Sequence, residues 1–126
     1  MNTTFTVQKT SRSIPPRVLY EDIKNDLLGK KFELSLVFVG DTLSHKLNIE
    51  RRGKDYIPNV LTFPLTKTSG EMFINLAQAK REAKKYKISY KNWTLQLFIH
   101  GLLHLEGMDH GATMDTKEQK LVKKYS

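Results

Sequence analysis

Residues 100–110 contain three of the chain's four histidines, and their spacing constrains the fold more than any other feature. His100 and His104 are four residues apart, so on a helix their side chains lie one above the other on the same face. Gly107 can adopt the left-handed conformation that ends a helix and turns the chain back. His110 then returns a third imidazole to the same place. The segment therefore predicts a helix and a return turn around one shared centre.

A metal ion accounts for this arrangement better than an apolar core does. A single histidine on an apolar helix is more often a core residue than a ligand. Two buried imidazoles would each need a separate hydrogen-bond partner, or cost roughly 1–3 kcal/mol apiece, whereas one ion satisfies both. Three neutral imidazoles with a fourth position open to water are typical of a catalytic zinc site. We therefore predict one zinc ion bound by His100, His104 and His110.

The ligand spacing is that of the metzincin proteases, with one departure. Those enzymes have a general-base glutamate directly after the first histidine, where this chain has Gly101. Glu106 lies two residues beyond His104 and points away from the ligand face of a continuing helix. Peptide hydrolysis would therefore need a carboxylate from elsewhere, such as Glu71, near the metal-bound water. The ion could still lower the pKa of bound water to about 7 and polarise a phosphoryl oxygen.

Hydrophobic periodicity predicts a mixture of strands and helices. Strand patterns cover residues 5–9, 32–39, 60–63 and 71–76, and Pro64 is expected to stop the third strand. A first helix is predicted to start at Pro15 and Pro16 and to end at Gly29, and a second follows Asp41 or Thr42, with Leu43, Leu47 and Ile49 facing inward. Three more helices are predicted over residues 77–87, in the long apolar segment capped by Ser89 or Asn92, and over residues 113–124. The prediction is an α+β fold, a single compact domain over residues 1–126, with helices packed on a small mixed sheet.

Composition excludes several classes of protein. The chain has no cysteine, which rules out disulfides, thiol catalysis and cysteine zinc clusters. No apolar run approaches the roughly 18 residues of a membrane span, and residues 1–10 lack the pattern of a secretion signal. The default expectation is a cytoplasmic protein without membrane association.

The formal charge of +8 favours a polyanionic partner such as RNA over the alternative, a solvated basic surface. The basic helix from Lys80 to Lys91 could follow an RNA backbone, but a run of charges is more often a solvated face, and the same holds for the lysine-rich C-terminus. Trp93 and Phe98 lie on the apolar metal-binding helix, so they are expected in the core and not as base-stacking platforms.

The segment His100–His110 closely resembles the HGxLHLxGxDH signature of the YbeY family, bacterial metal-dependent endoribonucleases and rRNA maturation factors. The resemblance continues upstream in the order of the family's LN, RGKD and DVLSFP blocks. These blocks are similar to Leu47–Asn48, Arg52–Asp55 and Val60–Pro64, and Gly70–Glu71 stands where the family has Gly-Asp. The likeness covers the chain from about Leu34 onward.

The resemblance implies a function and a set of site residues. The histidines at 100, 104 and 110 would bind zinc, and Arg52 would be the functional arginine at the mouth of the cleft, giving four catalytic residues. The implied activity is zinc-dependent cleavage of single-stranded RNA in 16S rRNA 3′-end maturation and small-subunit ribosome quality control. The implied partners are single-stranded RNA, 16S rRNA and the small ribosomal subunit, with no DNA.

Two alternatives remain open at this stage. Asn59 stands where the family usually has aspartate, and the zincin glutamate is missing, which fits a non-catalytic ribosome-biogenesis factor with a structural zinc. A zinc peptidase rests on the ligand spacing alone. Asp109 could accept a hydrogen bond from a ligand imidazole, or it could cap its own loop.

Overall fold

Nine regular elements follow one another in residues 4–126, the part of the chain that the computed structural model describes. The first three residues of the predicted 1–126 domain lie outside this range. The strands are β1 (Phe5–Lys9), β2 (Glu33–Val39), β3 (Val60–Thr66) and β4 (Ser69–Asn75). The helices are α1 (Tyr20–Leu28), α2 (Asp41–Arg52), α3 (Leu76–Tyr86), α4 (Tyr90–Glu106) and α5 (Ala112–Tyr125).

The four strands form one mixed sheet in the order β1-β2-β4-β3. β1 and β4 both run parallel to β2, and β3 pairs with β4 as an antiparallel hairpin. α1 provides the crossover that the parallel pair β1–β2 requires. This architecture confirms the predicted α+β fold with a small mixed sheet.

Helix α4 occupies the centre of the core, on one face of the sheet. It has apolar residues on most of its circumference and buries eight of its 17 residues, as expected for an internal helix. Phe98, Ile99 and Leu102 are fully buried with Leu36 and Met72 of the sheet. α1 and α5 pack on the same cluster, while α2 contributes Leu47 to a smaller cluster on the opposite face. Helix α4 is therefore held on several sides by apolar packing.

Three local predictions were wrong. α1 begins at Tyr20 and not at the prolines. Its first turn contains Glu21 and Asp22, at the position where the helix dipole favours acidic residues. β3 continues through Pro64, because it is an edge strand whose pairing is irregular just beyond this residue. Ile49 is 45% exposed, because a residue two positions after Leu47 lies on another face of the helix.

The predicted helix caps are only partly confirmed. Ser89 caps α4, since its Oγ accepts a hydrogen bond from the backbone N–H of Asn92. Neither Asp41 nor Thr42 caps α2, whose N-cap is Gly40. The Asp41 carboxylate instead accepts hydrogen bonds from Asn75 (2.9 Å) and Arg81 (2.6 Å), which ties the start of α2 to α3.

Among residues 4–126, no helix combines the length and the apolar character needed to cross a membrane.

Replacing Asn75 with alanine is expected to destabilise the fold. Asn75 is fully buried, its Oδ1 caps α3 through the N–H of Gln78 (3.1 Å), and its Nδ2 donates to Asp41 and to the carbonyl of Pro58. Loss of the cap and of these buried bonds should lower the free energy of unfolding by about 2–3 kcal/mol. Urea denaturation measures this loss. Asn92→Ala, on an exposed residue, should change it by less than about 0.5 kcal/mol, and equal effects would contradict the role of Asn75.

The Asp41–Arg81 pair should make stability depend on pH at the acid end. The hydrogen bond from Arg81, with help from Asn75 and the charge of Arg81, holds the pKa of Asp41 below its usual value. A carboxyl whose pKa is lower in the folded protein stabilises it above the unfolded pKa of about 3.9 and loses this contribution as pH falls. The stability advantage of the wild type over Asp41→Asn should therefore shrink below about pH 4. An advantage that stays constant through this range in urea titrations would contradict the assignment.

Candidate metal centre

Three imidazoles converge where α4 ends and the chain turns back. His100 and His104 lie on successive turns of α4, and Gly107, at φ 105°, ends the helix in the left-handed conformation. The following loop brings His110 beside both rings, with centroids 4.5 Å from His104 and 5.2 Å from His100. One nitrogen from each ring lies within 4.8 Å of the other two. The predicted ligand residues thus come together and can hold a metal ion.

The rings of His100 and His104 are fixed through their Nδ1 atoms. Nδ1 of His100 lies 2.6 Å from Oε1 of Glu118, and Nδ1 of His104 lies 3.1 Å from the carbonyl oxygen of Met108. Carboxylate and carbonyl oxygens only accept hydrogen bonds, so both Nδ1 atoms carry the proton. A neutral ring protonated at Nδ1 presents a lone pair at Nε2. Both rings therefore direct a metal-binding nitrogen towards the centre.

The distance between the Nε2 atoms of His100 and His104 shows whether the site fits a cation. They lie 3.1 Å apart, and two lone pairs at this distance repel each other unless a proton or a cation lies between or beside them. The pKa of His104 is held below its ordinary value, chiefly by burial and also by neighbouring His100 and His110, which disfavours the protonated form. The donor set consists of imidazole nitrogens, which zinc binds readily. These features fit a divalent cation.

Glu118 supports the site from α5, and sequence reasoning missed it. Its carboxylate is largely buried and also accepts a hydrogen bond from Nε2 of Gln96 at 3.1 Å. The sequence does contain a signal, because Glu118 interrupts the apolar stripe of α5 formed by Met114, Leu121 and Val122. A carboxylate in such a stripe requires a buried partner. Glu118, and not Asp109, is the carboxylate that hydrogen-bonds an imidazole of the histidine cluster.

The histidines line a cavity of about 430 Å³ that also contains the predicted arginine. Its wall is completed by Arg52, Tyr56, Asn59, Val60, Leu61, Thr62 and Gly101. Arg52 is the last residue of α2, and Nη1 donates to Oδ1 of Asn48 (3.2 Å) and to the hydroxyl of Tyr56 (3.3 Å). Asn48 is fully buried, so it anchors an otherwise exposed side chain. The remaining N–H groups of the guanidinium are available to a ligand in the cavity.

The other arginine of this segment has a different role. Nη1 of Arg51 lies 2.9 Å from Oε1 of Glu71, and its guanidinium lies 4.8 Å from the ring centroid of Phe63. Glu71 is thereby engaged in an ion pair and does not line the cavity. Glu106 likewise pairs with Lys117, at 2.8 Å.

The sheet crowds the position of Gly101, where the zincins have their general base. A Cβ atom at this position would lie 2.7 Å from Cε of Met72 and 3.1 Å from Cγ2 of Thr62. Met72 is fully buried, so its side chain has little space to move away. α4 therefore packs against β3 and β4 at the position where a metzincin has its glutamate.

Asn59 and Trp93 meet at a second carboxylate. Glu82 of α3 accepts hydrogen bonds at Oε1 from Nδ2 of Asn59 (3.0 Å) and Nε1 of Trp93 (3.1 Å). An aspartate at position 59 would place a second negative charge against Glu82, whereas asparagine donates to it. Phe98 lies in the core as predicted, but Trp93 is only half-buried and lines a cavity, so its prediction was wrong.

Replacing Glu118 with leucine should weaken metal binding. Leucine suits the apolar stripe of α5 but leaves Nδ1 of His100 without its acceptor, and loss of such a partner typically lowers metal affinity roughly 10–100-fold. Calorimetric titration with Zn²⁺ measures the change. Glu106→Leu, which removes a carboxylate paired with Lys117, is the matched control and should bind as the wild type does. Equal affinities for all three proteins would contradict the role of Glu118.

Comparison with known proteins places this geometry in a family. The family described as Endoribonuclease YbeY matches residues 2–126. An Endoribonuclease YbeY of Mycoplasma mycoides is 40% identical over 96 residues, which are 68% of this chain and 58% of the relative, so this chain spans less than two thirds of that protein. An Endoribonuclease YbeY of Neorickettsia sennetsu is 35% identical over 111 residues, covering 79% of this chain and 78% of the relative.

A solved structure shares the fold. The solution structure of TM1509 from Thermotoga maritima aligns with a TM-score of 0.66 and 25% identity, covering 94% of this chain and 87% of that one. The match of the family over nearly the whole chain, together with the three converging histidines, leads to one conclusion. The chain belongs to the YbeY family.

Proposed function

We propose that this protein is a zinc-dependent endoribonuclease that cleaves single-stranded RNA. Its proposed substrate is 16S rRNA, in 3′-end maturation and quality control of the small ribosomal subunit, which makes the cytoplasm the expected compartment. The proposed metal ligands are His100, His104 and His110, and Arg52 completes the proposed catalytic set. We further propose that residues 1–126 form a single YbeY-like metallohydrolase domain.

One observation carries the proposal: three imidazoles and an anchored arginine face the same cavity. A phosphodiester needs a cationic group for its oxygens and a second group that activates the attacking oxygen. Arg52 supplies a planar, permanently charged fork that matches phosphate geometry. The family match supports the same chemistry, because the curated relatives are named as endoribonucleases.

The chain's own residues hold and orient the substrate. Asn48 and Tyr56 fix one nitrogen of Arg52, which leaves the others to bind a phosphoryl oxygen and to stabilise the charge that develops there. Glu118 and the carbonyl of Met108 hold the histidine rings in the tautomer that can bind a cation. Zinc bound there would supply Lewis acidity and an activated water near neutral pH.

The surface charge supports an RNA partner. The chain carries a formal charge of +8, which attracts a polyanionic strand through release of its counterions. Part of the basic surface is engaged within the fold, since Arg81 pairs with Asp41 and Lys124 with Asp26. Lys84, Lys87 and Lys91 are exposed around the turn from α3 to α4, and we propose that they attract the strand.

The geometry disfavours a zinc peptidase. That reaction by the zincin route needs a carboxylate beside the metal centre. Position 101 is a glycine crowded by Met72, and both Glu71 and Glu106 are engaged with basic side chains away from the cavity. Glu118 is occupied by His100 and Gln96.

Replacing Arg52 with alanine should lower RNA cleavage roughly 100- to 1000-fold, the loss typical when one transition-state contact is removed. His104→Ala should abolish cleavage and weaken zinc binding. Gel assays of a single-stranded RNA with zinc-loaded protein measure both. Arg51→Ala, which removes the neighbouring arginine paired with Glu71, is the matched control and should retain activity.

Two results would contradict the proposed function. Zinc-loaded, folded wild type that leaves single-stranded RNA intact would favour the non-catalytic ribosome factor. Equal cleavage by wild type and Arg52→Ala would show that the arginine does not bind the reacting phosphate. Circular dichroism of each variant establishes that the fold is retained.

A further inference from the structure

A second cavity, which we call the side cavity, adjoins the metal centre. It has a volume of about 230 Å³ and shares His100, Asn59 and Val60 with the larger cavity of the three histidines and Arg52, which we call the main cleft. Its remaining lining residues are Trp93, Gln96, Leu97 and Glu118. Trp93 and His100 are seven residues apart on the same face of α4, a rise of about 10.5 Å. Neighbouring nucleotides of one strand can therefore occupy the two cavities.

The charges of the two cavities differ. The main cleft contains Arg52, which suits a phosphate. The side cavity is lined by the carboxylate of Glu118 and, within the described residues, by neither lysine nor arginine. A phosphate would be repelled there, whereas a neutral and partly polar group of the size of a nucleobase would not. The chemistry of the side cavity thus complements that of the cleft.

The amide side chains of the side cavity present hydrogen-bond acceptors. Nδ2 of Asn59 donates to Glu82, and Nε2 of Gln96 donates to Glu118. These carboxylate partners fix the amide orientations, since a carboxylate can only accept. Oδ1 of Asn59 and Oε1 of Gln96 make no hydrogen bond with residues 4–126. A base with an exocyclic amino group can donate to such carbonyl oxygens.

The indole of Trp93 supplies an aromatic wall. Its N–H donates to Glu82, and the ring of Tyr86 packs against it edge-on, with centroids 5.3 Å apart. The ring is thus held from two sides while it remains half-buried. Bases stack on such aromatic side chains in proteins that bind single strands.

We propose that the side cavity binds the nucleobase of a nucleotide next to the phosphodiester in the main cleft, with a preference for bases that carry an exocyclic amino group. This proposal rests on the proposed function, because it assumes an RNA strand in the cleft. Trp93 stacks on the base, and the carbonyl oxygens of Asn59 and Gln96 accept from its amino group. The side cavity then determines which nucleotide is preferred beside the cleaved bond.

Trp93 is the chain's single tryptophan, so its fluorescence reports on the side cavity directly. Zinc-loaded wild type is mixed rapidly with short oligocytidylate, oligouridylate or an abasic strand of the same length, and emission is recorded before cleavage proceeds. Anisotropy of end-labelled strands measures binding independently. Oligocytidylate should quench the emission, and the abasic strand should bind without quenching. Oligocytidylate should bind at least roughly three- to tenfold more tightly than oligouridylate, since one hydrogen bond alone has this effect.

A variant tests the amino-group preference. Gln96→Leu removes one of the two carbonyl oxygens and should lower the ratio of the affinities for oligocytidylate and oligouridylate, since only Asn59 still accepts from the amino group. A general disturbance of Glu118 and the metal centre would instead weaken both strands by the same factor and leave their ratio unchanged. Gln119→Leu makes the same change on an exposed residue next to Glu118 and should keep the wild-type ratio. The comparison of strands on the wild type tests the proposal even if neither variant folds.

The outcomes separate this proposal from the proposed function. If the strands bind and are cleaved without any change in Trp93 emission, the side cavity does not bind a base, and the proposed endoribonuclease activity stands. Base-dependent quenching without cleavage supports the side cavity and contradicts the endoribonuclease. Equal quenching by the abasic strand, or equal affinity for oligocytidylate and oligouridylate, overturns the base assignment. Absence of binding by every strand overturns both.

Discussion

Hydrogen bonds at the Nδ1 atoms of His100 and His104 set up the metal centre. Glu118 and the carbonyl of Met108 hold these protons, so both rings present Nε2 to one point. One acceptor, Met108, lies in the loop just after α4, the other, Glu118, lies in the middle of α5, and the turn at Gly107 brings α5 back over α4. The site therefore depends on the antiparallel packing of these helices as much as on the ligand residues themselves.

The packing of α4 on the sheet explains how a metzincin ligand spacing can serve other chemistry. At Gly101 the helix approaches Met72 and Thr62 so closely that a Cβ atom would have to displace the side chain of Met72. The same approach forms one wall of the main cleft, and the end of α2 brings Arg52 to it. Where a metzincin has its general-base carboxylate, this helix packs closely on the sheet, and the charged group that lines the cavity is an arginine. This exchange suits a substrate with anionic oxygens better than a peptide.

The sequence predicted most of the elements and the convergence of the three histidines, because both follow from local rules. Periodicity located β1 and the helices, and the spacing of the three histidines required only the geometry of one helix and one turn. The start of α1 and the path of β3 through Pro64 depend on competing local preferences and on the position of β3 at the sheet edge. Glu118 was missed because its partner lies 18 residues away, although its place in an apolar stripe was visible. The position of Trp93 depends on its contacts with Tyr86 and Glu82 of α3, and no local sequence pattern reveals these contacts.

X-ray absorption at the zinc edge of the zinc-loaded protein tests most directly whether three imidazoles bind one cation. We expect one zinc per chain with three imidazole nitrogens and at least one further light-atom ligand, and two imidazoles or fewer in His110→Ala. A wild-type spectrum with fewer than three imidazole ligands, or a protein that retains no zinc, would contradict this expectation.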